Sequence, residues 1–354
     1  MNITFKDVAE LAGVSTQTVS RVTNGSSNVA QKTREKVNAA IQQLGYVPNK
    51  GAQLLSSAKS QVIGLITLDV SLHGVSLITN NIRKQAQLRG YGTSFSVVDE
   101  HAFDKIIEAT KDLKSERIKF IIVNVPLTKD EAENLVTQFT ALRFVFIDVP
   151  ADSQVHSVSA AHYQGASEAA ALMLKHQRKR LLLITGPNDS SASSLRLDGW
   201  LAQIQQQATV VAQCEGDWLA SSGYELTNEV LRNATPIDGI LIASDQMALG
   251  ALRALHENGL NVPEDVAVIG FDDSGDSAYF SPPLTTIKQN FEQISARAVA
   301  MLFNEDSANK GLAQIKESIT TQLVERCSTQ LLQPKHYNKH QLEQLLEQVK
   351  QLLP

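Results

Sequence analysis

Cysteine is scarce in this chain of 354 residues: only Cys214 and Cys327 occur, with no CxxC pair. That excludes a disulfide framework and a cysteine-based zinc site. No apolar run approaches the length of a membrane span, and no charged-then-apolar leader opens the sequence. The expected location is therefore the cytoplasm, without a membrane partner. A catalytic set is missing as well. No nucleophile–base pair or metal-ligand spacing stands out, and His73, His101 and His162 are scattered. Neither an enzyme nor a bound cofactor or metal is expected. An overall basic excess is also lacking, since the net charge is −5. What is present, 43% hydrophobic and 19% charged residues, is the composition of a globular protein with room for two or three domains.

The charge that exists is unevenly placed. Residues 1–60 hold seven Lys/Arg and three acids, a net of +4, against −9 for the remainder. A basic module on an acidic body fits phosphate contact confined to one end. Within that module, Phe5 to Ala12 reads as a short helix with Thr4 as N-cap and Asp7 three residues on. Gly13 marks a tight turn. The stretch Val14 to Val22 then reads as a second helix, with Val19 and Val22 on an apolar seam and Thr16, Gln17, Ser20 and Arg21 opposite. Those hydroxyl, amide and guanidinium groups are the kind that reach base edges in a major groove. A third helix is expected over Gln31 to Leu44, where Val37, Ala40, Ile41 and Leu44 would close a three-helix core behind a weak cap at Ala30. Helix, glycine turn and polar-faced helix suggest a helix-turn-helix, although small bundles share that shape.

Residues 49–60 are rich in small side chains and too short for a stable isolated helix, so they read as a linker. From Val62 onward, short apolar strands alternate with amphipathic helices. Strands are expected at 62–66, 93–98, 120–123, 144–148, 181–184, near Val210, at 240–242 and 266–269. Helices are expected at 75–88, 103–113, 129–139, 164–175, 195–205, 221–231 and 246–257. Continuous apolar strands alternating with helices imply parallel sheets covered on both faces, here as two similar series. Ligands of such sheets bind at the carboxyl ends of the strands. Asn124, Asp148, Ser244, Asp245, Asp272 and Asp273 stand there, with Arg196 at a helix start within reach. Asp, Asn and Arg can grip vicinal hydroxyls of a sugar, with Trp218 as the stacking ring. Helix capping for the Asp residues and a core position for Trp218 are the competing readings. At the end of the chain, Leu342, Leu345, Val349 and Leu352 follow a 3-4-3 seam widened by Leu346 and Leu353. Such a stripe pairs with copies of itself or docks on its own body.

Asp7-Val8-Ala9, Ala12-Gly13-Val14-Ser15, Thr18-Val19-Ser20-Arg21-Val22, Lys32 to Val37 and Gly45-Tyr46-Val47-Pro48-Asn49 resemble the headpiece of the lactose-repressor family of transcription regulators. The likeness continues through Arg196-Leu197, Glu215 to Trp218, Asp245 to Ala251, Asp272-Asp273 and Pro282 to Gln289. It implies an all-α helix-turn-helix headpiece (residues 1–45), a hinge helix (46–60), and an α/β two-lobed body like periplasmic sugar-binding proteins (61–330). Lobe one would span about 61–160 plus 290–319, lobe two about 161–289 plus 320–330, with crossovers near Ala160, Gln289 and Thr320. A tetramerisation helix (338–354) would follow. DNA contacts are implied for Thr4, Ser15, Thr16, Gln17, Thr18, Ser20, Arg21, Asn24, Val29, Thr33, Asn49 and Gln53, with Leu55 as a minor-groove wedge. An inducer cleft is implied at Leu72, Asn124, Asp148, Arg196, Trp218, Ser244, Asp272, Gln289 and Phe291.

The expected function is repression of a sugar-utilisation operon, lactose or a galactoside being the expected inducer. Double-stranded operator DNA and further copies of the chain, as a dimer of dimers, are the expected partners. A related regulator whose ligand acts as co-repressor is the alternative. The sequence departs from the family member it resembles at Thr16 (for Tyr), Val75 (for Pro), Ala160 (for Phe), Ala192 (for Ser) and Ser244 (for an inducer-binding Asn).

Overall fold

In the computed structural model, the described residues are 3–23, 28–47, 61–98, 102–233, 236–304 and 314–330. Asn24, Asn49, Gln53, Leu55 and the leucine stripe of the tail lie outside them, as does most of the expected hinge.

Three helices form the N-terminal unit: α1 (Phe5–Ala12), α2 (Thr16–Thr23) and α3 (Gln31–Leu44). Val8, Ala9, Ala12, Val19, Val22, Val37 and Ala40 are buried together, so the 3- and 4-residue spacing does place one seam of each helix inward. Phe5 and Tyr46 close one end, with ring centroids 5.6 Å apart. Gly13 ends α1 with φ of 65°, a left-handed conformation that a side chain would resist. The second helix starts two residues later than its apolar pattern implied, because the Ser15 hydroxyl accepts from the Thr18 N–H and so lies before it. Ala30 makes no side-chain cap at α3, as its type predicts.

The body carries two six-stranded sheets. The first runs in the order β2-β1-β3-β4-β5-β11, from β1 (Val62–Thr67), β2 (Gly92–Val97), β3 (Phe120–Asn124), β4 (Arg143–Ile147), β5 (Ser157–Ala160) and β11 (Lys316–Ile319). All its pairings are parallel. The second runs β7-β6-β8-β9-β10-β12, from β6 (Arg180–Thr185), β7 (Thr209–Glu215), β8 (Gly239–Ile242), β9 (Ala267–Asp272), β10 (Thr285–Lys288) and β12 (Gln322–Val324). It is parallel except for β12, which runs antiparallel to β10.

Helices α4 (His73–Leu88), α5 (Phe103–Ser115), α6 (Lys129–Gln138) and α11 (Phe291–Phe303) belong with the first sheet. Helices α7 (His162–Lys175), α8 (Ser191–Ile204), α9 (Ala220–Arg232) and α10 (Asp245–Glu257) belong with the second. The runs Ile121–Val123, Leu181–Ile184 and Ile240–Ile242 are wholly buried, which explains why they read as unbroken apolar strands. The chain passes between the lobes after β5, after β10 and between β11 and β12. The crossings follow the carboxyl ends of β5, β10 and β11, and the carboxyl ends of the two sheets face each other across a cleft.

Candidate functional site

On the N-terminal unit, α2 divides as its spacing requires. Val19 and Val22 are buried, Thr16, Gln17 and Arg21 are exposed, and Ser20 is half-buried. The remaining predicted contacts differ in their freedom. The Ser15 and Thr18 hydroxyls lie 2.9 Å apart at the start of α2. Thr4 donates both its N–H and O–H to Asp7, at 2.7 and 2.8 Å. Val29 packs on the headpiece core, and Thr33 is half-buried on α3.

In the body, the strand ends enclose a cavity of about 130 Å³. All nine predicted ligand residues line it: Leu72, Asn124, Asp148, Arg196, Trp218, Ser244, Asp272, Gln289 and Phe291. Asn124 and Asp272 are the last residues of β3 and β9, and Asp148 directly follows β4. Three of these side chains sit on backbone that non-glycine residues rarely adopt: φ is 55° at Asp148, 72° at Trp218 and 124° at Asp272. Each such conformation costs about 1–3 kcal/mol, so the surrounding packing must hold it. Arg196 is not at a helix start, as its sequence context implied. It is the sixth residue of α8, because the Ser190 hydroxyl caps that helix by accepting from the Ser193 N–H. Ala160 does not line the cavity but packs in the lobe-one core. Val75 and Ala192 do line it.

The polar groups are arranged around one buried cation. The Arg196 guanidinium donates to the Ala243 carbonyl and lies 3.9 Å from Asp272 Oδ1. Its carbon is 3.9 Å from the Phe271 ring centroid and 5.4 Å from that of Trp218, so aromatic faces replace part of its lost hydration. Asp272 also accepts from Gln289 Nε2 at 2.6 Å. Burial nevertheless pushes the Asp272 carboxyl up to about 6, against the pull of Arg196 and of that hydrogen bond.

Beneath the wall, Asp245 accepts from the Ser274 N–H and from the Ser277 and Thr286 hydroxyls. Burial first, and the nearby Asp272 charge second, raise it to about 7. Ser244 caps α10 by accepting from the Met247 N–H at 3.2 Å, leaving its own hydroxyl hydrogen to donate. Asn124 Nδ2 is buried and makes no hydrogen bond among the described residues, a donor held ready at the cavity wall. The cavity thus presents carboxylates, a guanidinium, amides and the rings of Trp218 and Phe291. That donor and acceptor set suits a polyhydroxylated molecule with an apolar side. Among the described residues no cluster is placed to hold a metal ion. No helix among them is long and apolar enough to cross a membrane.

Sequence reasoning missed two residues here. Gln246, the second residue of α10, lines the cavity and its Oε1 accepts from the His73 N–H across the cleft at 3.4 Å. Its place next to the strand-end pair Ser244-Asp245 was the available signal. His162, set aside as an isolated histidine, bridges Asp148 and Arg196 from behind the wall. Nothing in its local sequence hinted at that.

Comparison with known proteins agrees with this architecture. Residues 4–49 match the family described as bacterial regulatory proteins, lacI family, and residues 170–329 match a periplasmic binding protein-like domain. The lactose operon repressor of Escherichia coli (strain K12) is 37% identical over 330 residues, 92% of this chain and 91% of that protein. The HTH-type transcriptional repressor PurR of Pasteurella multocida (strain Pm70) is 31% identical over 319 residues, 88% of this chain and 95% of the relative. A crystal structure of the lac repressor dimer bound to operator and the anti-inducer ONPF superposes with a TM-score of 0.86 at 36% identity, covering 94% of this chain and 100% of that one. With a helix-turn-helix headpiece, a two-lobed body and a relative of this identity along nearly its whole length, the chain belongs to the lacI family of bacterial transcription regulators.

Proposed function

We propose that this regulator represses a sugar-utilisation operon and releases its operator when a small sugar, most simply a galactoside, enters the cleft between the lobes. One observation carries the reading. Side chains from both lobes, Asp148 and Asn124 on one side and Arg196, Asp272 and Trp218 on the other, converge on a single cavity. A ligand that touches both walls has different affinities for different lobe arrangements, and that difference is all that can shift the equilibrium. In this reading, headpieces of a dimer read the half-sites of a near-palindrome through Thr16, Gln17, Ser20 and Arg21. The hinge at 46–60 joins headpiece to body, Leu55 wedges into the minor groove, and the tail at 338–354 joins dimers into tetramers. Exposed Leu88, Phe95 and Val97 on lobe one supply apolar surface for the dimer. Likeness to the lactose operon repressor favours lactose, while Ser244 in place of an amide argues for a ligand that needs fewer donors at that point.

A calorimetric screen of mono- and disaccharides, followed by gel shifts with the operator, tests the reading. Sugars that bind wild-type protein should reduce operator retention, and Arg196→Ala should abolish that response while leaving operator binding in place. A sugar that strengthens retention would establish a co-repressor instead. A normally responsive Arg196→Ala protein would reject the cleft as the effector site.

A further inference from the structure

Behind the cavity wall lies a titratable side chain that the effector reading leaves without a task. His162 is the first residue of α7, two residues beyond the end of β5, where the chain first leaves lobe one. It is 1% exposed. Its Nε2 lies 2.9 Å from Asp148 Oδ1, on the lobe-one wall. Its Nδ1 lies 3.4 Å from Arg196 Nε, on the lobe-two wall. A guanidinium only donates, so Nδ1 is the acceptor and carries no proton; an ionised carboxylate only accepts, so Nε2 carries it. The two neighbours therefore select one neutral tautomer between them. Burial and the positive charge of Arg196 both oppose protonation, against the pull of Asp148. The Phe271 ring, 5.9 Å away by centroids, covers the imidazole from β9.

We infer that His162 is the positioning residue through which the two walls of the cleft are coupled to each other and to the first interlobe crossover. The inference rests on the cleft being the effector site. Asp148 sits on left-handed backbone and Arg196 on a helix of the other lobe; their charges attract each other, and His162 is hydrogen-bonded to both. One ring between them makes their orientations interdependent. A ligand hydroxyl that draws on Asp148 or Arg196 changes a bond to His162, and any rotation of that ring acts on the residue that opens α7. Relative motion of the lobes, in turn, changes both bonds at once.

The test uses the full chain. In ligand-free protein with 15N-labelled imidazoles, the His162 signals, assigned by their loss in His162→Asn, should show Nδ1 unprotonated and Nε2 protonated. A protonated Nδ1 overturns the inference. In a second arm, His162→Asn keeps an acceptor near Nδ1, His162→Gln keeps a donor near Nε2, and His162→Ala keeps neither. Calorimetry with methyl-β-galactoside should give about tenfold weaker binding for the alanine variant, the loss expected from one charge-assisted hydrogen bond, with partial recovery in the other two.

Arg196→Lys should weaken binding in every background, because Arg196 lines the cavity, but by a smaller factor in the His162→Gln background than in the His162→Asn background, and the same difference should appear in thermal melting without ligand. Variants that rank by side-chain volume alone, with no coupling to Arg196, would reduce His162 to filler and overturn the inference. If wild-type protein binds no sugar, the effector reading fails, while the spectrum and the melting cycle still decide the role of His162.

Discussion

At the residue scale, Asp245 and Asp272 are two carboxyls that water barely reaches, raised to about 7 and about 6. Each holds a proton in the folded chain at pH values where the unfolded chain has lost it. Their contribution to stability is therefore fully present below the ordinary carboxyl range and is lost as pH rises through 6 and 7. Asp245→Asn removes the one with the higher value and retains an acceptor for the Ser274 N–H. Its melting temperature, measured relative to wild type, should rise steadily from pH 5 to pH 8, because Asp272 titrates in both proteins while only the wild type must also ionise Asp245. A difference that stays constant across that range would mean Asp245 does not titrate there.

The same scale shows what was legible beforehand. Asn124, Asp148, Ser244 and Asp272 could be read as site candidates because parallel sheets place their ligands at strand ends, and these residues stand at such ends in the sequence. His162 could not, since its significance comes from neighbours 14 and 34 positions away. Nothing local marks that pairing.

At the element scale, the long buried strands and amphipathic helices announce themselves through unbroken apolar runs or 3.6-residue spacing. Apart from α11, a 13-residue helix over Phe291–Phe303 that had no expected counterpart, the elements that escaped are short or mixed. β5 reads Ser-Val-Ser-Ala, β11 Lys-Glu-Ser-Ile and β12 Gln-Leu-Val, and their strand character comes from the neighbours they pair with. The start of α8 escaped for another reason: its first turn, Ser-Ala-Ser-Ser, carries no apolar period and is set by the Ser190 cap.

Helix pairing gives the prediction that belongs here. α9 and α10 approach so closely that a Cβ at Gly250 would stand 1.8 Å from the Ala220 carbonyl oxygen, and one at Gly223 would stand 2.0 Å from that of Met247. Backbone cannot yield as a side-chain tip can. Gly250→Ala should therefore destabilise the chain by about 1–3 kcal/mol, overriding the roughly 1 kcal/mol that alanine gains over glycine in a helix. Denaturant unfolding measures the balance. A variant as stable as wild type would show that the two helices can separate without loss.

At the scale of the whole molecule, a net charge of +4 on residues 1–60 and −9 on the rest keeps attraction to DNA at one end. Each headpiece is small, and reading a palindrome requires two of them held at a fixed spacing. Two surfaces can supply that association, and they make separable contributions. The exposed apolar side chains of lobe one, Leu88, Phe95 and Val97, lie on the body. The seam of Leu342, Leu345, Val349 and Leu352 lies in the tail, joined to the body by a polar stretch after Pro334. A two-heptad seam widened by leucines at 346 and 353 beyond what a two-stranded coil buries is what supports the proposal that the tail joins dimers. Deleting residues 338–354 should then convert tetramers into dimers by sedimentation equilibrium, with single-operator affinity retained and the capacity to hold two operators at once lost. Tetramers that persist after the deletion would place the second interface on the body. Monomers would mean that the tail, rather than lobe one, brings the two headpieces together.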